Sequence, residues 1–194
     1  MSDTCIIRGI VIAGVLSLCL YSGCEETQQV RQPFEAITPA YLDGRQAAQQ
    51  YAAGDLTDYE LVWKVYDVGA SARQPFLDGL AEGLQQAGKA AEAETYRTLL
   101  AEAVTGNQFA TAKDVGAKHA RRAITNEQVQ GVIHSSLGVS RGVALGWKAG
   151  YIRGFAAQRL ADTAAAGAVD QRAIGRFHKE AAVVYHALRA AIGQ

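Results

Sequence analysis

From Pro39 to the end of the chain, apolar residues recur at spacings of three and four, and no stretch alternates apolar and polar residues with period two. Thr38 followed by Pro39 is a cap with proline in the first turn, which predicts a helix running to Gly54. Thr57 and Glu60 form a capping box that opens "DYELVWKVYDVGA". That stretch is rich in Val, Tyr and Trp, as strands are. Tyr59, Val62, Trp63 and Tyr66 nevertheless share one helical face, and Glu60 and Lys64 make an i,i+4 pair. Pro75 opens a third helix ending near Gly88, and "KAAEAETYRTLLAEAV" is a fourth ending near Gly106. A fifth covers 110–124, and Thr125 with Gln128 caps the segment after it. The last helix begins at Asp170 and carries a one-sided apolar stripe of Ile174, Phe177, Ala181, Val184 and Leu188. The pattern predicts an all-α fold of antiparallel helical hairpins, arranged as a short solenoid or an irregular bundle.

One segment breaks the usual helix composition. "LGVSRGVALGWKAGYIRGF", residues 137–155, has glycine at every fourth position: Gly138, Gly142, Gly146, Gly150 and Gly154. On a helix such a row drifts by about 40° per step, and each glycine costs up to about 1 kcal/mol against alanine. Close approach of a neighbouring helix offsets that cost, so the five glycines are expected to form a packing groove. The drift makes Gly146 the most sensitive position and lets Gly154, about 80° further round, escape contact. Arg141, Lys148 and Arg153 interrupt the segment, and a charged residue costs about 2.5–3.5 kcal/mol near a bilayer centre. The groove therefore belongs to a helix outside the membrane.

A faint repeat runs through the same body. "AYLDGRQAAQQYAAG" from Ala40 and "PFLDGLAEGLQQAGK" from Pro75 share aromatic-Leu-Asp-Gly at an offset of 35, and "YIRGFAAQ" from Tyr151 echoes the first. "LAEGLQQAGKAAEAETYRTLL" resembles a tetratricopeptide unit. Ala81, Leu84, Gly88 and Ala93 fall at that family's spacings, Tyr96 comes one residue early, and the terminal proline is absent. The resemblance covers residues 40–105 and implies stacked helix hairpins that bind a partner.

Residues 1–23 carry the pattern of a secretory signal peptide. Arg8 precedes an apolar run from Gly9 to Leu20 that is too short for a span of about 20 residues, and small residues lead into Cys24. Cys5, Cys19 and Cys24 are the three cysteines of the 194-residue chain, so the body beyond them has no disulfide to rely on. "LYSGC" resembles a bacterial lipobox: Ser22, Gly23 and Cys24 fit, and Tyr21 stands where leucine is usual. The resemblance implies that Cys24 is lipidated and anchors the protein to a membrane through acyl chains. Glu25, rather than aspartate, follows the cysteine and favours the outer membrane. Residues 24–38 then form the lipidated N-terminus and a polar tether, and 39–194 the helical domain.

Charge divides the chain without unbalancing it. Lys plus Arg and Asp plus Glu number 19 each, which gives no reason to expect a nucleic acid. Residues 25–102 hold 13 acidic and 6 basic side chains, whereas 103–194 hold 5 acidic and 12 basic. Acidic and basic helices packed side by side would neutralise each other. Alternatively Lys113, Lys118, Arg121 and Arg122 face an anionic surface.

Candidate chemistry is sparse. "GVSRG", Gly138–Gly142, fits G-x-S-x-G and resembles the nucleophile elbow of α/β-hydrolases, with Asp162 or Asp170 and then His178 or His186 following in order. That fold needs a parallel sheet, and the preceding hundred residues read as helices. His178 and His186 lie about 12 Å apart along a helix and cannot grip one metal ion, and His119 and His134 have no ligand-like neighbours. No metal or other cofactor is expected. The sequence leads to a periplasm-facing lipoprotein of the bacterial cell envelope. Its non-catalytic helical domain would bind or scaffold another envelope protein or a cell-wall component. The alternatives are a small serine hydrolase using Ser140 and a structural spacer with no dedicated pocket.

Overall fold

The computed structural model describes residues 38–166 and 172–193. The signal segment, Cys24, the tether and Asp170 lie outside the described residues. Eight α-helices make up the described part: α1 Pro39–Ala53, α2 Asp58–Asp67, α3 Arg73–Gln86, α4 Ala90–Val104, α5 Gln108–Ala120, α6 Asn126–Leu137, α7 Arg141–Ala165 and α8 Arg172–Ile192. A single 3-10 turn, Ala70–Ala72, leads into α3. No strand occurs among the described residues, and the fold is all-α. Both predicted capping boxes form: the Thr57 and Thr125 side chains accept the Glu60 and Gln128 amides, and the glutamate and glutamine side chains reach back.

Pro39–Gln194 forms one compact unit. Its buried clusters draw on every helix, so the unit carries a core of its own, as an independently folding domain does. The centre is α7, which packs against α2, α4, α5, α6 and α8. Eleven of its residues are buried, among them Trp147, Tyr151, Ile152 and Phe155. Each large apolar side chain so buried contributes about 1.5–3 kcal/mol.

Glycine decides how the two tightest helix pairs meet. In α1 and α3, a Cβ on Gly44 would collide with the Phe76 carbonyl, and one on Gly79 with the Tyr41 carbonyl. In α5 and α7, a Cβ on Gly116 would collide with the Tyr151 carbonyl, and one on Gly154 with the Lys113 carbonyl. In both pairs each glycine rests on the carbonyl three residues before its partner glycine. Tyr41 meets Gly79 and Ala48 meets Gly83, while Ala112 meets Gly150 and Lys113 meets Gly154. The contacts climb together along both helices, so each pair runs parallel, with α2 or α6 as the crossover between its members. The aromatic-Leu-Asp-Gly repeat is thus the site of the α1/α3 crossing, and "YIRG" is half of the α5/α7 crossing.

Sequence-adjacent helices also pack, as α3/α4 and α7/α8 do, but α1 and α2 touch little. The arrangement is an irregular bundle that contains hairpins. Gly88 sits in the turn of the α3/α4 hairpin, with Leu84 and Ala93 buried on either side.

Several local expectations differ. The glycine row is not one helix: α6 ends at Leu137, Gly138 is its C-cap with open space around it, and α7 begins after Ser140. Gly138 is therefore not a packing residue. Gly142 meets the side chain of Glu102 rather than a neighbouring backbone. Gly146 faces the Ala103 carbonyl, 2.6 Å from a built Cβ, and Gly154 faces the Lys113 carbonyl closer still. Gly154 does not escape, because the neighbour changes from α4 to α5 as the groove drifts. The fifth helix stops at Ala120 rather than 124. On α8 the buried stripe is Ala173, Phe177, Ala181, Tyr185 and Leu188, with Ile174 42% exposed.

The two oppositely charged halves meet at α2 and α7. Lys148 Nζ lies 3.2 Å and 3.3 Å from the Asp58 carboxylate oxygens, and Arg153 holds Asp67 through two bonds of 2.7 Å and 2.9 Å. Part of the charge division is thus taken up by internal pairing.

Candidate functional site

A cleft of about 740 Å³ opens where the α5–α6 corner faces α7 and α8. It falls in the size range of small-ligand sites. Phe155, Val184 and Leu188 give it an apolar floor, and Val183, 69% exposed, extends that surface outward. The wall at the corner is polar: His119, Arg122, Thr125, Asn126 and Glu127.

The corner is built by two local signals in succession. Helix α5 ends in a Schellman turn, in which the Arg122 amide donates to the His119 carbonyl and the Ala123 amide to the Lys118 carbonyl, both at 2.9 Å. Three residues later Thr125 caps α6. Between them Arg122 has φ +60°, the left-handed region. The corresponding positions after α1 and α3 are Gly54 and Gly88, also with positive φ, and Gly106 has positive φ in the turn that follows an extended Thr105 after α4. This conformation costs a residue with a Cβ about 1–2 kcal/mol, which glycine avoids. Among the described residues, Arg122 is the one non-glycine that adopts it.

His119 is fixed from two sides. Its Nε2 lies 2.8 Å from Asn126 Oδ1, an acceptor, so Nε2 carries the proton and Nδ1 accepts from the Tyr151 hydroxyl. Tyr151 is fully buried, and burial, with Tyr185 adding, pushes its phenol well above the usual range, so it stays a donor. This relay spans α5, α6 and α7 and sets the corner against the core.

Charge in the cleft is largely spoken for. Arg159 pairs with Glu180 at 3.6 Å, across from α7 to α8. Glu127 bonds the Thr125 hydroxyl and its own backbone, which hold its carboxyl below the usual range. Arg122 has no acidic partner among the described residues.

The four basic residues expected to form an anionic contact do not all lie on one side of α5. Lys118 is paired with Asp114 at 2.6 Å, and Lys113 lies about 140° round the helix from it. Arg121 and Arg122 follow at the corner, and only Arg122 lines the cleft.

Ser140 is a helix cap. Its backbone is extended, its hydroxyl accepts the Val143 amide at 3.1 Å, and it donates to the Glu102 carboxylate. The strand required before a nucleophile elbow is helix α6 here. His178 packs against Trp63, with ring centres 4.7 Å apart and planes tilted by 54°, while the Ser140 hydroxyl is taken by Glu102 and the Val143 amide. His186 lies on α8 beside Lys148, Asp58 and Arg189, whose charges act on it. Trp63 itself donates to the Ala149 carbonyl at 2.8 Å, which fixes α2 on α7. Asp162 accepts from Gln158. The hydrolase constellation is thus not assembled among the described residues.

The cleft itself has no sequence motif. A positive-φ arginine looks like any other arginine, and His119, Phe155 and Val183 are brought together by packing alone. No helix among the described residues is long and apolar enough to cross a membrane. No family model, curated protein or solved structure matches the chain.

Proposed function

We propose that this is a cell-envelope lipoprotein, anchored through acylated Cys24, whose helical domain binds another envelope component in the α5–α8 cleft without catalysis. The leader and the Ser22-Gly23-Cys24 junction support the anchor. Glu25 favours the outer membrane, with the domain facing the periplasm. The observation that carries the binding role is Arg122: the chain uses glycine at two equivalent helix ends, Gly54 and Gly88, and keeps a strained arginine at the one that lines a cleft. Strain of this kind collects at binding and catalytic sites.

Two measurements test the two halves of the proposal. Metabolic labelling with an alkyne fatty acid should mark the wild type and not Cys24→Ser, and equal labelling of both would remove the anchor. A photo-crosslinking residue at position 183, in the cleft, should give discrete adducts in intact cells. The same residue at position 42, on α1 and 51% exposed, should not. Equal patterns from the two positions would favour the spacer.

A further inference from the structure

We infer that the cleft takes an amphiphile with a single anionic head group, bound by the Arg122 guanidinium, its apolar body lying on Phe155, Val183, Val184 and Leu188. The inference rests on the cleft being the domain's binding site and adds the chemistry of the ligand.

The pairing of charges in the cleft leads to it. Four lining side chains carry full charge: Arg122, Glu127, Arg159 and Glu180. Arg159 and Glu180 answer each other across the cleft. Glu127 is engaged by the first turn of its own helix, where a carboxylate is favoured by the helix dipole. The lining is neutral in sum, Glu127 keeps its negative charge, and Arg122 is the one lining cation without an ionic partner among the described residues, at the rim of an apolar floor. Arg122 is exposed, so its guanidinium stays hydrated until a ligand arrives. A planar guanidinium offers paired donors to carboxylate or phosphate, and a neutral head would leave those donors without an ionic partner. The floor supplies the second requirement. Val183 is among the most exposed large apolar side chains of the domain, and it adjoins the buried Phe155 and Leu188 in the same cleft. An alkyl chain lying there removes that surface from water. A highly charged ligand would meet Glu180 and Glu127, which limits the head to one anionic group.

The backbone at Arg122 provides a variant whose folding and binding effects have opposite signs. Arg122→Gly relieves the left-handed strain and removes the guanidinium. In the domain spanning residues 39–194, methyl resonances of Val183, Val184 and Leu188 should shift saturably with octanoate or octyl phosphate. Octanol and inorganic phosphate, which hold one half of the chemistry each, should bind about tenfold more weakly or worse. Arg122→Gly should raise Tm by about 2–4 °C and weaken octanoate by about tenfold. The tighter of the two anions identifies the head group as carboxylate or phosphate. Octanol binding as tightly as octanoate, unchanged affinity in Arg122→Gly, no response to either anion, or a fall in Tm would each overturn the inference. If adducts form from position 183 in cells while neither anion moves the methyl groups, the binding site stands and the ligand class falls.

Discussion

Ser140 and His178 both read as catalytic candidates in the sequence, and both are held by contacts that fix helices. The Ser140 hydroxyl accepts the Val143 amide at the start of α7 and donates to Glu102 on α4. Removing it by Ser140→Ala should cost about 1 kcal/mol in a urea melt, with Ser140→Thr restoring most of the loss. An unchanged midpoint would show that Glu102 alone satisfies the end of the helix. His178 is half-buried against Trp63, and burial lowers its pKa, with Arg153 lowering it further and Glu60 opposing. The unfolded chain takes up the proton near the ordinary 6.5, whereas the folded chain resists it. Its contribution is therefore fully present above that pH and is lost as pH falls, and His186 is shifted in the same direction. The denaturant midpoint should drop between about pH 7.5 and about pH 5.5, and His178→Phe should reduce the drop. Equal drops in both proteins would assign it elsewhere. At this scale the sequence discloses what depends on near neighbours. The Thr57 and Thr125 boxes need residues three apart and were legible. The Ser140 cap was obscured by G-x-S-x-G, and the His119–Tyr151 bond joins residues 32 apart that no local pattern connects.

Helix ends were legible from caps and glycines, but the function of the glycines within helices was only half so. Spacing shows that a row of small residues exists and not which neighbour lies over each member. Drift round an ideal helix put Gly154 out of reach, and α5 instead brings the Lys113 carbonyl against it. The sensitivity series should therefore follow the neighbours rather than the row. Gly154→Ala and Gly116→Ala should each destabilise by about 1–3 kcal/mol through overpacking, despite alanine's better helix propensity. Gly138→Ala should be close to neutral, because nothing lies within contact distance of its Cβ. Gly142→Ala should cost less than Gly154→Ala, since the atoms it meets belong to the flexible Glu102 side chain. Urea melts of the four variants give the order directly. A Gly154→Ala domain as stable as wild type would mean that the α5/α7 crossing can open without loss. The repeat at offset 35 was visible for the same reason that its meaning was not. Identical letters mark equivalent positions, while the seating of Gly44 on Phe76 and Gly79 on Tyr41, on helices that Ala48 against Gly83 shows to run parallel, exists only once the two helices are packed.

The all-α class comes from periodicity alone, whereas the arrangement depends on which helix gathers the others, and that is set by burial on all sides. Helix α7 has buried residues from Gly142 to Ala156, and five helices pack on it. Helix α1 buries Tyr41, Gly44, Ala47 and Ala48 and rests mainly on α3, with Tyr51 reaching Tyr96 of α4. Regions with few buried apolar contacts open at lower free energy than the core. Native-state hydrogen exchange should then separate the two: amides from Trp147 to Phe155 exchange only through global unfolding, and those of α1 through a smaller opening with weak dependence on denaturant. The glycine crossing sharpens the expectation. Gly44 and Gly79 bring backbones together without large side chains, so α1 gains dispersion contacts from α3 but little of the apolar burial that ties α7 to the whole. Gly79→Ala should make the α1 opening easier while leaving exchange in α7 unchanged apart from any shift in global stability. If α1 amides are as slow as those of α7 and share the same denaturant slope, the domain opens as one unit, and the α1/α3 crossing contributes to global stability as fully as the α5/α7 crossing does.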